Sequence, residues 1–122
     1  MNLKLIISLF TFALLFSSCY DEAHIKVTNK VHNVTLENVS YASNSLTHRL
    51  YPGESSSKVR LSDDDDRVSF PMSAQIEFYM VKGDKRVFLK TKESYILKKN
   101  QTLEVTITDE TEVVNPMTES IR

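Results

Sequence analysis

Beyond residue 19, apolar residues alternate with polar ones over short stretches, and turn-forming residues separate the stretches. A period of two places neighbouring side chains on opposite faces of a strand, whereas no window repeats apolar residues at helical spacing. The predicted strands cover residues 25–29, 34–42, 58–62, 68–70, 74–81, 86–91, 93–97 and 103–108. Roughly eight short strands predict an all-β fold, a small two-sheet sandwich of the immunoglobulin-like or transthyretin-like kind.

The strongest local signal is the segment Lys82-Gly83-Asp84-Lys85. Glycine at the first of two loop positions predicts a hairpin with a type II′ turn, and this loop length fixes the register of the two strands. One face of the hairpin is then apolar and faces the core, and the other carries an aromatic pair beside an ion pair. The expected pairs are Met80 with Val87, Phe78 with Leu89, Ile76 with Thr91, Tyr79 with Phe88, and Glu77 with Lys90.

Three further turns or irregularities are predicted. A three-residue loop at residues 99–101 predicts a second hairpin, with Leu97 opposite Leu103. Pro and Gly at the middle of residues 51–54 predict a type II turn. The apolar phase changes at residues 37–38, which predicts either a β-bulge there or a strand that crosses between sheets.

The first eighteen residues differ in kind from the rest. Lys4 precedes an apolar run over residues 5–16, and Ser17 and Ser18 follow it, which is the order of a secretory signal. The run is shorter than the roughly 20 residues of a transmembrane helix, so a permanent span is the weaker interpretation. The expected organisation is a signal at 1–18, a lipidated Cys19 with a tether at 19–23, a sandwich at 24–114 and a flexible tail at 115–122.

The sequence Phe16-Ser17-Ser18-Cys19 resembles the bacterial lipobox, with Phe16 where the strict pattern prefers Leu. The resemblance implies cleavage between Ser18 and Cys19 and a covalent diacylglycerol and N-acyl lipid on Cys19, with no other cofactor. Acylation would also remove a lone thiol from an oxidising compartment; the alternative is an unpaired secreted Cys. The following Tyr20-Asp21-Glu22 resembles the acidic export tags of Bacteroidota lipoproteins, and several body segments are similar to small Bacteroidota-type lipoproteins. The implied location is the outer membrane, with its surface and periplasmic faces both open.

Composition narrows the chemistry. A net charge of −1 gives no footprint for nucleic acid, and the two glycines are both used in turns, which leaves none for a phosphate-binding loop. His24, His32 and His48 lack metal-ligand spacing. No catalytic constellation emerges, so we expect no enzyme activity.

Two groups of residues remain as candidate sites. Asp63, Asp64, Asp65 and Asp66 offer hard oxygen ligands for Ca²⁺, although their spacing is not that of an EF-hand, and a solvated turn is the favoured interpretation. A candidate binding face is formed by Tyr79, Phe88, Lys90 and Lys92, since aromatics flanked by Lys can stack on sugars or anchor a protein interface. The competing interpretation is that a covering element packs on the aromatic pair.

Two function hypotheses follow. The first is a lipid-anchored, non-catalytic binding or structural module of the outer membrane or cell surface, held to the membrane by its lipid and contacting an envelope protein or a surface polymer. The alternative is a periplasm-facing accessory subunit of a larger envelope or secretion complex. An anchored hydrolase is disfavoured because so short a chain rarely encloses a pocket of about 300 Å³ or more. Oligomeric state is open.

Overall fold

A computed structural model describes the backbone of residues 20–119, with side chains to residue 117. The predicted signal, Ser18 and Cys19 lie outside the described residues. Within them the fold is nearly all β, and one short helix ends it. The elements in chain order are β1 (Glu22–Lys30), β2 (Thr35–Tyr41), β3 (Asn44–Leu50), β4 (Val59–Ser62), β5 (Met72–Ala74), β6 (Ile76–Lys82), β7 (Lys85–Thr91), β8 (Tyr95–Leu97), β9 (Thr102–Thr108), β10 (Val113–Val114) and α1 (Pro116–Glu119).

The strands form a small sandwich, as the alternation predicts. The first sheet has the order β4-β1-β9, the second has the order β10-β7-β6-β2-β3, and β5 and β8 form a two-stranded sheet. The inner faces of the two larger sheets share one hydrophobic core, to which β1 contributes Ile25 and Val27, β6 contributes Ile76 and Phe78, and β9 contributes Ile107. Burial of these alternating apolar residues is the main force that holds the sheets together.

The hairpin of β6 and β7 has the predicted register. Phe78 pairs with Leu89, Tyr79 with Phe88, and the ladder closes at Lys82 and Lys85. Of the two loop residues only Gly83 has a positive φ, 63°, as a type II′ turn requires. The expected core face is less buried near the turn, since Met80 is half-buried and Val87 is 42% exposed.

The second predicted hairpin is wrong. β8 pairs with β5, and β9 instead runs parallel to β1, so Leu97 and Leu103 are not partners. A turn does form at residues 98–101, where the Gln101 N–H donates to the Lys98 carbonyl over 3.2 Å. Alternation placed Leu97 correctly in the core, but it could not show that the turn carries the chain from one sheet to another.

The structure contains two other irregularities that the sequence predicts. The register of β2 shifts between Glu37 and Ser40, and Asn38 has a φ of 50°, so the first alternative, a β-bulge, is the one that forms. The Glu54 N–H donates to the Tyr51 carbonyl over 3.0 Å, and Gly53 has a φ of 87°, as a type II turn requires.

Several predicted boundaries change. The strand expected at 68–70 is absent, and the chain pairs instead at Met72–Ala74. β1 begins at Glu22, so Glu22 and Ala23 belong to the sandwich and not to a tether. Four residues of the expected flexible tail form α1, Pro116–Glu119, which contacts β7.

The largest element that the sequence pattern did not predict is β3, a polar edge strand that pairs with β2. Its only buried apolar residues are Leu46 and Leu50, which is too little alternation to recognise. The turn before it, Ala42-Ser43, lacks glycine although both residues have positive φ, 49° and 66°. Turns with two positive φ values ordinarily use Asn-Gly, so the usual hairpin signal is missing.

This turn gives a stability prediction. Left-handed backbone costs a non-glycine residue about 1 kcal/mol, and Asn and Gly carry the least penalty. Replacing the pair by Asn-Gly, Ala42→Asn with Ser43→Gly, should raise the free energy of unfolding by about 1 kcal/mol in urea titrations. As a control, Ser45→Gly places glycine inside β3, where φ is not positive, and should lower the free energy of unfolding. An increase of about 1 kcal/mol for Ser45→Gly as well would contradict the assignment to turn strain.

Candidate binding face

The candidate site is the outer face of the five-stranded sheet. Phe78 is fully buried on the core side, so its neighbours Glu77 and Tyr79 project from the opposite face. Cross-strand pairing aligns Tyr79 with Phe88 on one side and with Glu37 on the other. The strands therefore collect aromatic and charged side chains from separate parts of the sequence into one surface.

The aromatic pair forms the centre of this surface. The rings of Tyr79 and Phe88 lie 5.1 Å apart between centroids with an interplanar angle of 50°, a favourable tilted arrangement. The guanidinium of Arg86 lies 3.7 Å from the centroid of the Tyr79 ring, within cation–π distance. One side of the Tyr79 ring is thus occupied by a cation of the chain itself.

Glu37 joins two cations at the edge of the pair. Its carboxylate lies 3.4 Å from Arg86 Nε and 3.3 Å from Arg49 Nε. Arg49 also reaches the Tyr51 ring, 5.9 Å from its centroid, and a hydrogen bond to the Tyr51 hydroxyl, with the charge of Glu37, raises the pKa of Arg49. We call Glu37, Arg49, Tyr51, Tyr79, Arg86 and Phe88 the outer-face cluster. Each of the exposed ion pairs contributes little to stability, but together they fix the side-chain geometry.

The four residues of the predicted binding face do not all lie on the outer face of the sheet. Lys90 pairs with Glu77 across the hairpin, so it lies on the outer face with Tyr79 and Phe88. Lys92 follows β7, pairs with Glu112 at 3.3 Å and lines a polar groove of about 520 Å³ beside β9. The structure therefore groups three of the four predicted residues and separates Lys92.

Sequence reasoning missed all three charged members of the cluster. Arg86 could have been found, because the predicted register already set it beside the Tyr79–Phe88 pair. Glu37 needs the pairing of β2 with β6, and Arg49 needs β3, and neither could be deduced from alternation. Both rings are half-buried, and their contacts are with each other and, for Tyr79, with Arg86.

The acidic run forms a turn. Asp65 accepts bonds from the Arg67 side chain at 2.8 and 3.1 Å, and Asp63 accepts the Asp21 N–H at 2.9 Å. Between residues 20 and 119 the structure assembles no group of three or more His, Cys, Asp or Glu side chains suited to a metal ion. Asp63 and Asp65 accept local hydrogen bonds, and Asp64 and Asp66 are exposed.

Asp65 supplies a pH prediction. Hydrogen bonds from the side chain and backbone of Arg67 lower its pKa from 3.8 to about 2. The ionised, paired form of this exposed carboxyl is complete above pH 3.8 and is lost as the pH falls through about 2. A carboxyl titration by NMR should give that midpoint for Asp65, and Arg67→Ala should return it towards 3.8. An unchanged midpoint in Arg67→Ala would contradict the pairing.

Two broader observations complete the site. In the described part of the chain, no helix is long and apolar enough to cross a bilayer. No protein-family model matches the chain, and no curated protein or solved structure is significantly similar to it. What the outer-face cluster can bind is therefore inferred from the geometry of its side chains alone.

Proposed function

We propose that the chain is a lipid-anchored cell-envelope lipoprotein whose sandwich is a non-catalytic binding module of the outer membrane. The lipobox-like sequence ending at Cys19 supports the anchor. β1 begins at Glu22, so a lipid on Cys19 would hold the folded domain close to the membrane with almost no linker. The outer-face cluster is the recognition surface.

The observation that carries the binding role is the arrangement of Arg86 over Tyr79 beside Phe88. Tyr and Arg are the residue types that contribute most energy at protein interfaces, particularly where neighbours already fix their rotamers. A sugar ring would have to displace Arg86 to stack on that side of Tyr79. The cluster therefore favours a protein partner over a surface polymer.

The anchor is tested by cell fractionation. The native chain is expected in the membrane fraction and Cys19→Ala in the soluble fraction, because a bilayer holds acyl chains at about 0.8 kcal/mol per buried CH₂. Cys19→Ser is a matched control and should behave as Cys19→Ala does. Membrane association of a chain that has lost residues 1–18 and carries either substitution would contradict the lipid anchor, whereas an uncleaved chain is held by its apolar run.

The recognition surface is tested by photo-crosslinking in cells that express the full chain. A benzophenone amino acid at position 88 should give one discrete adduct, and the same probe at Thr106, which is exposed on β9, should give none. Arg86→Ala should reduce the adduct at position 88 about tenfold, as expected for loss of an interface Arg. Equal adducts at both positions would contradict the assignment.

A further inference from the structure

Hydrogen bonds tie the chain to the sandwich from Asp21 onward. The Asp21 N–H donates to Asp63 Oδ1 over 2.9 Å, and the Asp21 carbonyl accepts the Asp63 N–H over 3.0 Å. Two peptide units separate Asp21 from Cys19, so their Cα atoms lie within about 7.6 Å of each other. The surface around Asp21 would thus lie close to the membrane that holds the anchor.

A basic turn lies beside Asp21. The Asn100 N–H donates to the Glu22 carbonyl over 2.7 Å, and the Gln101 carbonyl accepts the His24 N–H over 2.8 Å. These bonds hold residues 98–101 against the first residues of β1. Lys98 and Lys99 are both exposed, so their ammonium groups are presented at the same end as the anchor.

An apolar groove adjoins the two lysines. It is open to solvent, has a volume of about 540 Å³ and is lined by Asp21, Phe70, Pro71, Lys98 and Lys99. Phe70 packs partly against the core and Pro71 is exposed, so the groove presents the exposed part of an aromatic ring and an aliphatic ring next to two cations and the Asp21 carboxylate. This combination suits the boundary between phosphate headgroups and acyl chains, where one side is charged and the other apolar.

We propose that this end docks on the anionic phospholipid bilayer that carries the anchor. The proposal rests on the proposed function, since it needs the lipid on Cys19. Lys98 and Lys99 contact headgroup phosphates, and Pro71 and the exposed part of the Phe70 ring meet the interface. Each lysine close to an anionic surface contributes to binding, and the effect falls off within a Debye length, so the short connection to Cys19 is essential.

The acidic turn determines the direction in which the domain tilts on the bilayer. β1 is the central strand of its sheet, with β4 on one side and β9 on the other. Asp63–Asp66 follow β4, whereas Lys98 and Lys99 precede β9, so the acidic and basic groups flank the anchor. An anionic bilayer attracts the β9 side and repels the β4 side, and the domain is held tilted towards β9.

The absence of Trp from the chain allows a unique fluorescent probe. The full chain carrying Phe70→Trp is expressed in a lipidating bacterium and reconstituted into vesicles of phosphatidylethanolamine with brominated phosphatidylglycerol. Tyr51→Trp is the matched control, because residues 51–54 bond to Asn29 near the opposite end of β1. Fluorescence of Phe70→Trp should be quenched about fivefold more than that of Tyr51→Trp.

Charge reversal separates docking from simple proximity. Lys98→Glu with Lys99→Glu should reduce the quenching of Phe70→Trp to the control level, as should vesicles of brominated phosphatidylcholine alone. Equal quenching of both probes, or quenching unchanged by the charge reversal, would overturn the docking proposal. The intact mass of each sample separates a failure of the lipid anchor from a failure of the docking proposal. An unmodified Cys19 would overturn the anchor, and a lipidated Cys19 without lysine-dependent quenching would overturn only the docking.

Discussion

Asn29→Asp is expected to lower the free energy of unfolding by about 4 kcal/mol. Asn29 is fully buried, and its amide nitrogen donates to the Val34 carbonyl at 2.8 Å and the Leu50 carbonyl at 3.0 Å. Its side-chain oxygen accepts the Val31 N–H at 2.9 Å. A carboxylate would keep only the last bond and would place negative charge against two carbonyl oxygens, and among the described residues the buried polar side chains include no cation.

The position of Asn29 explains why so much depends on it. Its backbone carbonyl accepts the Gly53 N–H and its N–H donates to the Glu54 carbonyl, so it joins β1 to the type II turn. Urea titration at neutral pH measures the loss. Asn33→Asp, an exposed residue in the adjoining loop, should change stability by less than about 0.5 kcal/mol. A loss below about 1 kcal/mol for Asn29→Asp would contradict the role of its amide.

Tyr41→Phe is the second large prediction, with an expected loss of about 2 kcal/mol. The Tyr41 side chain is fully buried, and its hydroxyl donates to the Tyr95 carbonyl at 2.7 Å, with the Met72 carbonyl at 3.3 Å. These carbonyls belong to β8 and β5, so one hydroxyl of the five-stranded sheet holds the two-stranded sheet in place. Phe keeps the ring packing and leaves the carbonyls without this donor.

The same residue predicts alkaline instability. Burial raises the pKa of Tyr41 above its ordinary value of 10.0. A raised folded-state pKa contributes stability that is complete below pH 10.0 and is lost as the pH rises through the folded value. Thermal melts above pH 10 should therefore fall steeply for the native chain and less steeply for Tyr41→Phe; Tyr95, whose pKa burial also raises, keeps part of the slope. Tyr51→Phe is the control and should melt with the pH dependence of the native chain. The same pH dependence in Tyr41→Phe would contradict the assignment to Tyr41.

The sequence predicts the fold where local chemistry decides the outcome. Gly83 fixes the hairpin turn, Pro52 and Gly53 fix the type II turn, and the change of apolar phase identifies the bulge at Asn38. It fails where pairing depends on distant partners, as in the parallel pairing of β9 with β1. β3 was missed because its turn uses strained Ala and Ser residues and its strand is polar.

The candidate binding face shows the same limit. The aromatic pair and Lys90 follow from one hairpin, so alternation was sufficient to place them together. Glu37 and Arg49 join them through β2 and β3, whose neighbours are set by tertiary packing of the core. Lys92 lies only one residue past β7, where the chain leaves the sheet, and a strand pattern cannot locate that point.

The most direct test of the proposed envelope lipoprotein is the intact mass of the mature chain, purified in detergent from a bacterial host. We expect a polypeptide that begins at Cys19 and carries the added mass of a diacylglycerol and an N-acyl chain. Under an inhibitor of the lipoprotein signal peptidase, the uncleaved precursor should accumulate. An unmodified chain that keeps its first eighteen residues, or one cleaved elsewhere with a free thiol at Cys19, would contradict the assignment.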